Sequence, residues 1–199
     1  MLVLKKVAVT GGLSCGKSSV CRFFRKFGAY VISADEVVHQ LLSPETQLGQ
    51  DVARLLGQDI IVDGRIDRAI IAKKVFNDPK LLNSLENLLH PAVRKEVNHQ
   101  YEQIKQEGKH RLFVAEIPLY FEGGGAQDYD AVVAVVANPE TCKQRFTQAG
   151  FNSEEFEKRS GRQLSPDEKA KRADYVIINN GSLEDLEHSV KEVYEKLIQ

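Results

Sequence analysis

The chain has 199 residues, 42% of them hydrophobic and 28% charged, a composition that suits one compact unit with a sizeable buried core. Its 27 basic and 28 acidic side chains leave a net charge of −1, which excludes the broad positive field that would draw it to nucleic acid or an anionic membrane. The longest apolar run, Ala131–Ala137, is far shorter than the roughly 20 residues of a membrane span. No signal peptide fits before the first strand either, so a cytoplasmic location is expected.

The first predicted element is a strand over Lys6–Thr10, and it leads into Gly11–Ser18, G-G-L-S-C-G-K-S. This fits the phosphate-binding loop G-x-x-x-x-G-K-[ST]. Gly12 and Gly16 free the backbone to turn N–H groups around phosphate oxygens, Lys17 adds a cation for the β- and γ-phosphates, and Ser18 offers a hydroxyl to Mg²⁺. A helix over Ser19–Phe27 would add the positive end of its dipole. The spacing therefore implies a nucleoside triphosphate ligand. Cys15, inside the loop, has two readings: a thiol activated by Lys17 and the helix N-terminus, or a small residue that merely fits. With Cys21 and Cys142 it forms no C-x-x-C pair, and the odd number argues against a zinc cluster or a disulfide framework.

Further strands are expected at Tyr30–Ile32, Leu112–Ile117, Ala131–Val136 and Tyr175–Ile178, separated by helical segments. Together these predict an α/β fold of three layers, a five-stranded parallel sheet covered by helices on both faces. Helix starts are expected at Ser43-Pro44, Asp78-Pro79, Asn138-Pro139 and Ser165-Pro166, each a capping residue before proline, and Ser165–Glu168 reads as a capping box. The stretch from about 36 to 107 is too long for one crossover and reads as a helical insertion. A second helical stretch, 143–172, carries eight basic and five acidic residues and reads as a lid.

Asp35 follows the second strand, at the sheet edge where open α/β sheets bind ligands. It suits either a general base that takes a proton from an attacking hydroxyl or the N-cap of the next helix. Glu116, ending the third strand, suits either Mg²⁺ binding beside Ser18 or a solvated strand end.

Gly11–Ser19, Val31–Asp35, Asp67-Arg68, Val75-Phe76, His90-Pro91, Pro118-Leu119 with Glu122, and Ala173-Asp174 with Asn179 occur in an order and spacing that resembles the dephospho-CoA kinases, over nearly the whole chain. The resemblance implies a P-loop NTPase-like kinase fold in which the insertion binds the acceptor. The reaction it implies is transfer of the γ-phosphoryl of ATP to the ribose 3′-hydroxyl of dephospho-CoA, with Mg²⁺ and no obligate protein partner. It also implies that Gly11, Gly12, Leu13, Ser14, Cys15, Gly16, Lys17, Ser18 and Ser19 hold the donor, that Asp35 is the base, and that Arg145 answers charge on the transferring phosphoryl. Arg68 and His90 lie where the acceptor is expected; His90 is read as an acceptor contact or as the brace of a turn before Pro91. Two departures stand out: Ser33 replaces the first Asp of the family's usual D-A-D, and the family's next lid arginine has no clear match, so Arg159 and Arg162 are each read either as the replacement cation or, in preference, as part of a solvated helix face. Other readings are a kinase of another small nucleoside or nucleotide acceptor, or a nucleotide-binding module without transfer, and the latter has no use for Asp35.

Overall fold

A computed structural model of the chain describes residues 3–76, 78–125 and 128–199. These form two compact units, Met1–Ser33 with Tyr101–Gln199, and Ala34–Gln100.

The first unit is built on a parallel sheet of β1 (Lys5–Gly11), β2 (Tyr30–Ser33), β5 (Leu112–Glu116), β6 (Ala131–Val136) and β7 (Tyr175–Ile178), in the order β2-β5-β1-β6-β7. All five strands fall within a residue of the positions read from the sequence. Being central, β1 buries both faces, and Val7, Ala8, Val9 and Thr10 are all fully buried. Val7 and Val9 join a core with Val20, Phe24, Val190 and Leu197 of α1 (Lys17–Lys26) and α9 (Leu183–Leu197). Ala8 faces the other side, against Tyr120 and Val132. There the last turns of α5 (Pro79–Glu107) place Tyr101 edge-on against Phe113 of β5. Helices and loops thus cover both faces, which is why the strands read as continuous apolar runs.

Two carboxylates fix where strands begin. Asp130 Oδ2 accepts from the N–H of Lys6 at 2.7 Å, and Asp174 Oδ2 from that of Val132 at 2.7 Å. Beyond β6 come α6 (Pro139–Gln148), α7 (Ser153–Ser160) and α8 (Pro166–Arg172). Cys142, Phe146 and Phe156 from the first two are buried in the same core as α1 and α9, and Phe151 stacks on Phe146.

The second unit contains α2 (Ala34–Leu41), α3 (Gln47–Leu56), a hairpin of β3 (Ile61–Val62) and β4 (Arg65–Ile66), α4 (Arg68–Val75) and most of α5. Its own core holds Val52, Leu56, Ile60, Ile71, Val75 and Leu85.

Helix starts divide. Asp78 caps α5 through the N–H groups of Lys80 and Leu81, and Ser165 with Glu168 forms the expected capping box. Asn138 precedes α6 but makes no capping bond, because its side-chain oxygen accepts from Asn180 instead. Ser43-Pro44 does not open a helix. It forms a turn closed by the N–H of Thr46 on the Ser43 carbonyl, and Thr46 caps α3 by accepting from Gly49, proline being as well suited to a turn as to a first helical position. His90-Pro91 makes no turn either. Both residues are exposed inside α5, where the missing N–H of Pro91 leaves the Asn87 carbonyl without its usual helical donor. Among the described residues no helix is long and apolar enough to cross a membrane.

Candidate functional site

The candidate donor site lies at the carboxyl end of β1, where Gly11–Ser18 joins the central strand to α1. Two glycines in it are sterically obligatory. A Cβ on Gly11 would lie 2.3 Å from the Val135 carbonyl, and one on Gly16, at φ 98°, 2.1 Å from the Asn179 amide nitrogen. Gly12, by contrast, has room for a side chain, and the other left-handed residue is Ser14, at φ 54°. Gly16 is also the residue from which α1 starts, so Lys17 and Ser18 occupy its first turn, two residues earlier than the sequence suggested. The backbone N–H groups of Ser14, Gly16, Lys17 and Ser18 find no carbonyl partner among the described residues. That is a nest of donors at a helix N-terminus, the arrangement that binds phosphate.

The loop is held from behind. Asn179, nearly fully buried after β7, donates Nδ2 to the Cys15 carbonyl at 2.8 Å. Arg145 in the last turn of α6 donates Nη2 to the Asn179 carbonyl at 3.2 Å, and its Nη1 lies 3.5 Å from the Cys15 carbonyl. Asn180 accepts from the N–H of Asn138 at 2.7 Å, tying the β7–α9 turn to the β6–α6 turn. The guanidinium is thus fixed beside the loop. Lys17 folds back, with Nζ 2.8 Å from the Gly12 carbonyl and 3.3 Å from that of Gly11.

Ser18 Oγ donates to Glu116 Oε1 at 3.0 Å. Glu116 is the last residue of β5, so the strand end brings its carboxylate to the Ser18 hydroxyl of the loop. These are hard oxygens of the kind Mg²⁺ takes, and the pair fits such an ion.

Cys15 is 1% exposed, and its sulfur packs inward, 2.8 Å from where a Cβ on Gly11 would sit. Burial pushes its thiol up from the ordinary range, against the opposing pull of Lys17. The activated-thiol reading is therefore overturned, because the side chain points into the core. Cys21 is pushed up further, first by burial and then by the Glu116 carboxylate.

Sequence reasoning missed Lys169. This α8 side chain is fully buried; Nζ lies 2.9 Å from the Pro118 carbonyl, 2.9 Å from Glu122 Oε1 and 3.4 Å from the Gly11 carbonyl. Burial lowers its pKa, while the hydrogen bond and charge of Glu122 oppose that shift. Glu122 Oε1 also accepts from the N–H of Leu164. A signal was present: Pro166, Lys169, Ala170 and Ala173 form one small, apolar face of a short helix, and Lys169 is the only charge on it. Asn179, quoted for the resemblance but given no role, is the second residue missed.

Asp35, Arg68 and His90 belong to the other unit, and all three are exposed. Asp35 is the second residue of α2, not its N-cap, and makes no hydrogen bond or ion pair among the described residues. Arg68 opens α4 directly after Asp67, which caps it through the N–H groups of Ala69 and Ile70. Arg159 pairs with Glu155 and lies over the rings of Phe146 and Phe151.

The profile of the dephospho-CoA kinase family matches residues 5–185. Dephospho-CoA kinases of Protochlamydia amoebophila and Chlamydia pneumoniae are 50% and 44% identical to this chain, each alignment covering 99% of it and 98% of the relative. Among solved structures, the Thermus thermophilus protein TT1252 superposes with a TM-score of 0.83 at 32% identity, covering 98% of both chains. The dephospho-CoA kinase of Campylobacter jejuni gives 0.72 at 27% identity, again over 98% of both. A phosphate loop on the central strand, a serine–carboxylate pair beside it and full-length similarity at this level agree, and the chain belongs to the dephospho-CoA kinase family.

Proposed function

We propose that the phosphate loop, Asp35 and Arg145 together carry the family's reaction, transfer of the γ-phosphoryl of ATP to the ribose 3′-hydroxyl of dephospho-CoA, which gives CoA and ADP and completes coenzyme A biosynthesis. The observation that carries the donor half is the nest formed by the N–H groups of Ser14, Gly16, Lys17 and Ser18, flanked by the Lys17 ammonium. Gly11 to Ser19 surround the triphosphate, and Lys17 exchanges its carbonyl contacts for the β- and γ-phosphates. Arg145, already held beside the loop by Asn179, supplies positive charge as the phosphoryl group moves.

Asp35 is the base: its carboxylate accepts the 3′-hydroxyl proton while the oxygen attacks phosphorus. Its place in an exposed first turn, with no competing side-chain partner among the described residues, and the resemblance of Val31–Asp35 to the family's motif support this role. Arg68 and His90 contact the acceptor, with residues of about 36–107 forming its binding insertion and residues of about 143–172 the lid. Ser18 and Glu116 would hold Mg²⁺, directly or through water, and the chemistry it supplies there is neutralisation of phosphate charge.

The test is a coupled ADP-release assay with ATP and Mg²⁺, comparing dephospho-CoA with adenosine, AMP and no acceptor. Release that depends on dephospho-CoA is expected. Release indifferent to the acceptor would refute the assignment.

A further inference from the structure

Lys169 has no part in the chemistry above, yet it is the most completely buried charge described in the first unit. A lysine ammonium has three N–H donors, and all three find acceptors: the carbonyls of Gly11 and Pro118 and the carboxylate of Glu122. Those acceptors lie on two loops at the carboxyl edge of the sheet, and Lys169 itself is on α8. For stability alone this is a poor choice, since a buried ion pair is commonly no better than apolar residues of the same volume.

The Gly11 carbonyl explains the choice. It accepts from two ammonium groups, Lys17 at 3.3 Å and Lys169 at 3.4 Å. The two differ in their freedom to move. Lys17 is half-buried at the mouth of the loop, whereas Lys169 is locked by Glu122 and Pro118. Because Glu122 answers the charge of Lys169, that of Lys17 is left for an anion.

We infer that Lys169 is a positioning residue for the donor: it keeps the Gly11 carbonyl anchored when Lys17 turns from the loop to the phosphates, so that the N–H nest keeps its shape in the loaded state. Without it, the Gly11 carbonyl loses its remaining ammonium donor once Lys17 turns to the phosphates, and the peptide leading from the end of β1 into Gly12 is no longer tied on that side. The effect falls on ATP and not on the acceptor. The inference rests on the donor-site reading above, and the two fail separately: wild-type enzyme without ATP-dependent transfer would sink that reading, whereas the variants below sink only this one.

Lys169→Met alone would strand a buried carboxylate, so the informative variant is Lys169→Met with Glu122→Gln, which removes both charges and leaves an acceptor for Leu164. Steady-state kinetics should show the KM for ATP raised at least tenfold, the KM for dephospho-CoA within twofold of wild type, and a melting temperature close to wild type. An ATP KM within twofold of wild type, or two KM values that rise together, would overturn the role, because Lys169 would then only brace the fold. Lys169→Arg keeps the inference testable should the double variant not fold. It retains the charge opposite Glu122, but its planar guanidinium cannot place a donor on all three acceptors, so the ATP KM should rise at least threefold. An unchanged value there overturns the inference equally.

Discussion

Asp35 and Cys15 show how differently two polar side chains can be disposed toward chemistry. Asp35 is exposed in a first helical turn, and among the described residues no hydrogen-bond or ion-pair partner diverts its carboxylate from a substrate proton. Asp35→Asn keeps size and polarity but removes the base. ATP affinity, measured by calorimetry, should stay within about twofold, and kcat should fall by about 10²–10⁴, the range general-base catalysis contributes. An unchanged kcat would remove Asp35 from the mechanism. The loop lysine and the glycine obligatory at its C-terminal end were legible from spacing, because the motif is a statement about backbone geometry. Cys15 was not. Sequence places it among cations, but which way the side chain points depends on the turn set by Ser14 and Gly16, and that turn drives the sulfur into the core. Lys169 was missed for a related reason: a lysine in a charged stretch reads as solvated unless the face it occupies is traced.

At the scale of elements, the parallel strands were the easiest to read, since burial on both faces leaves runs such as Leu112–Ala115 without a polar interruption. The β3–β4 hairpin went unread, although Asp63-Gly64 between Ile61-Val62 and Arg65-Ile66 carries the signature of a tight turn; both residues have positive φ, 49° and 72°. Two residues per strand are too few for alternation to register. Prolines misled in two places, because the same residue can start a helix, turn a chain or sit inside a long helix whose other residues are well packed. For Pro91 this has a measurable consequence. Leu85 and Val97, buried on either side of it, anchor α5 before and after the proline. Pro91→Ala restores the missing hydrogen bond and should stabilise the protein by about 1–3 kcal/mol, seen as a melting temperature several degrees higher. A lower melting temperature would show that the ring itself is packed in a way α5 requires.

For the whole molecule, the expectation follows from mass action. A non-hydrolysable ATP analogue with Mg²⁺ at about 100 times its Kd should stabilise the native state by about 2.7 kcal/mol, since the nest exists only when the loop is folded. Thermal scans across a nucleotide series would test this, and a melting temperature indifferent to the analogue would argue against a preformed donor site. Composition and strand pattern made the α/β class readable, and it was the length of the stretch between the second and third strands, not any glycine- or proline-rich linker, that set an insertion at about 36–107 apart. The route of the sheet also bears on synthesis. Gly11–Ser18 is made well before the rest of the sheet, yet the Cys15 carbonyl waits for Asn179, 164 positions later, and β1 waits for β5 and β6 to pair on its two sides. Contacts so distant in sequence form late. A nascent chain therefore carries its nucleotide motif without the support that shapes it until β7 and the asparagine after it have been made, for only then is the Cys15 carbonyl held.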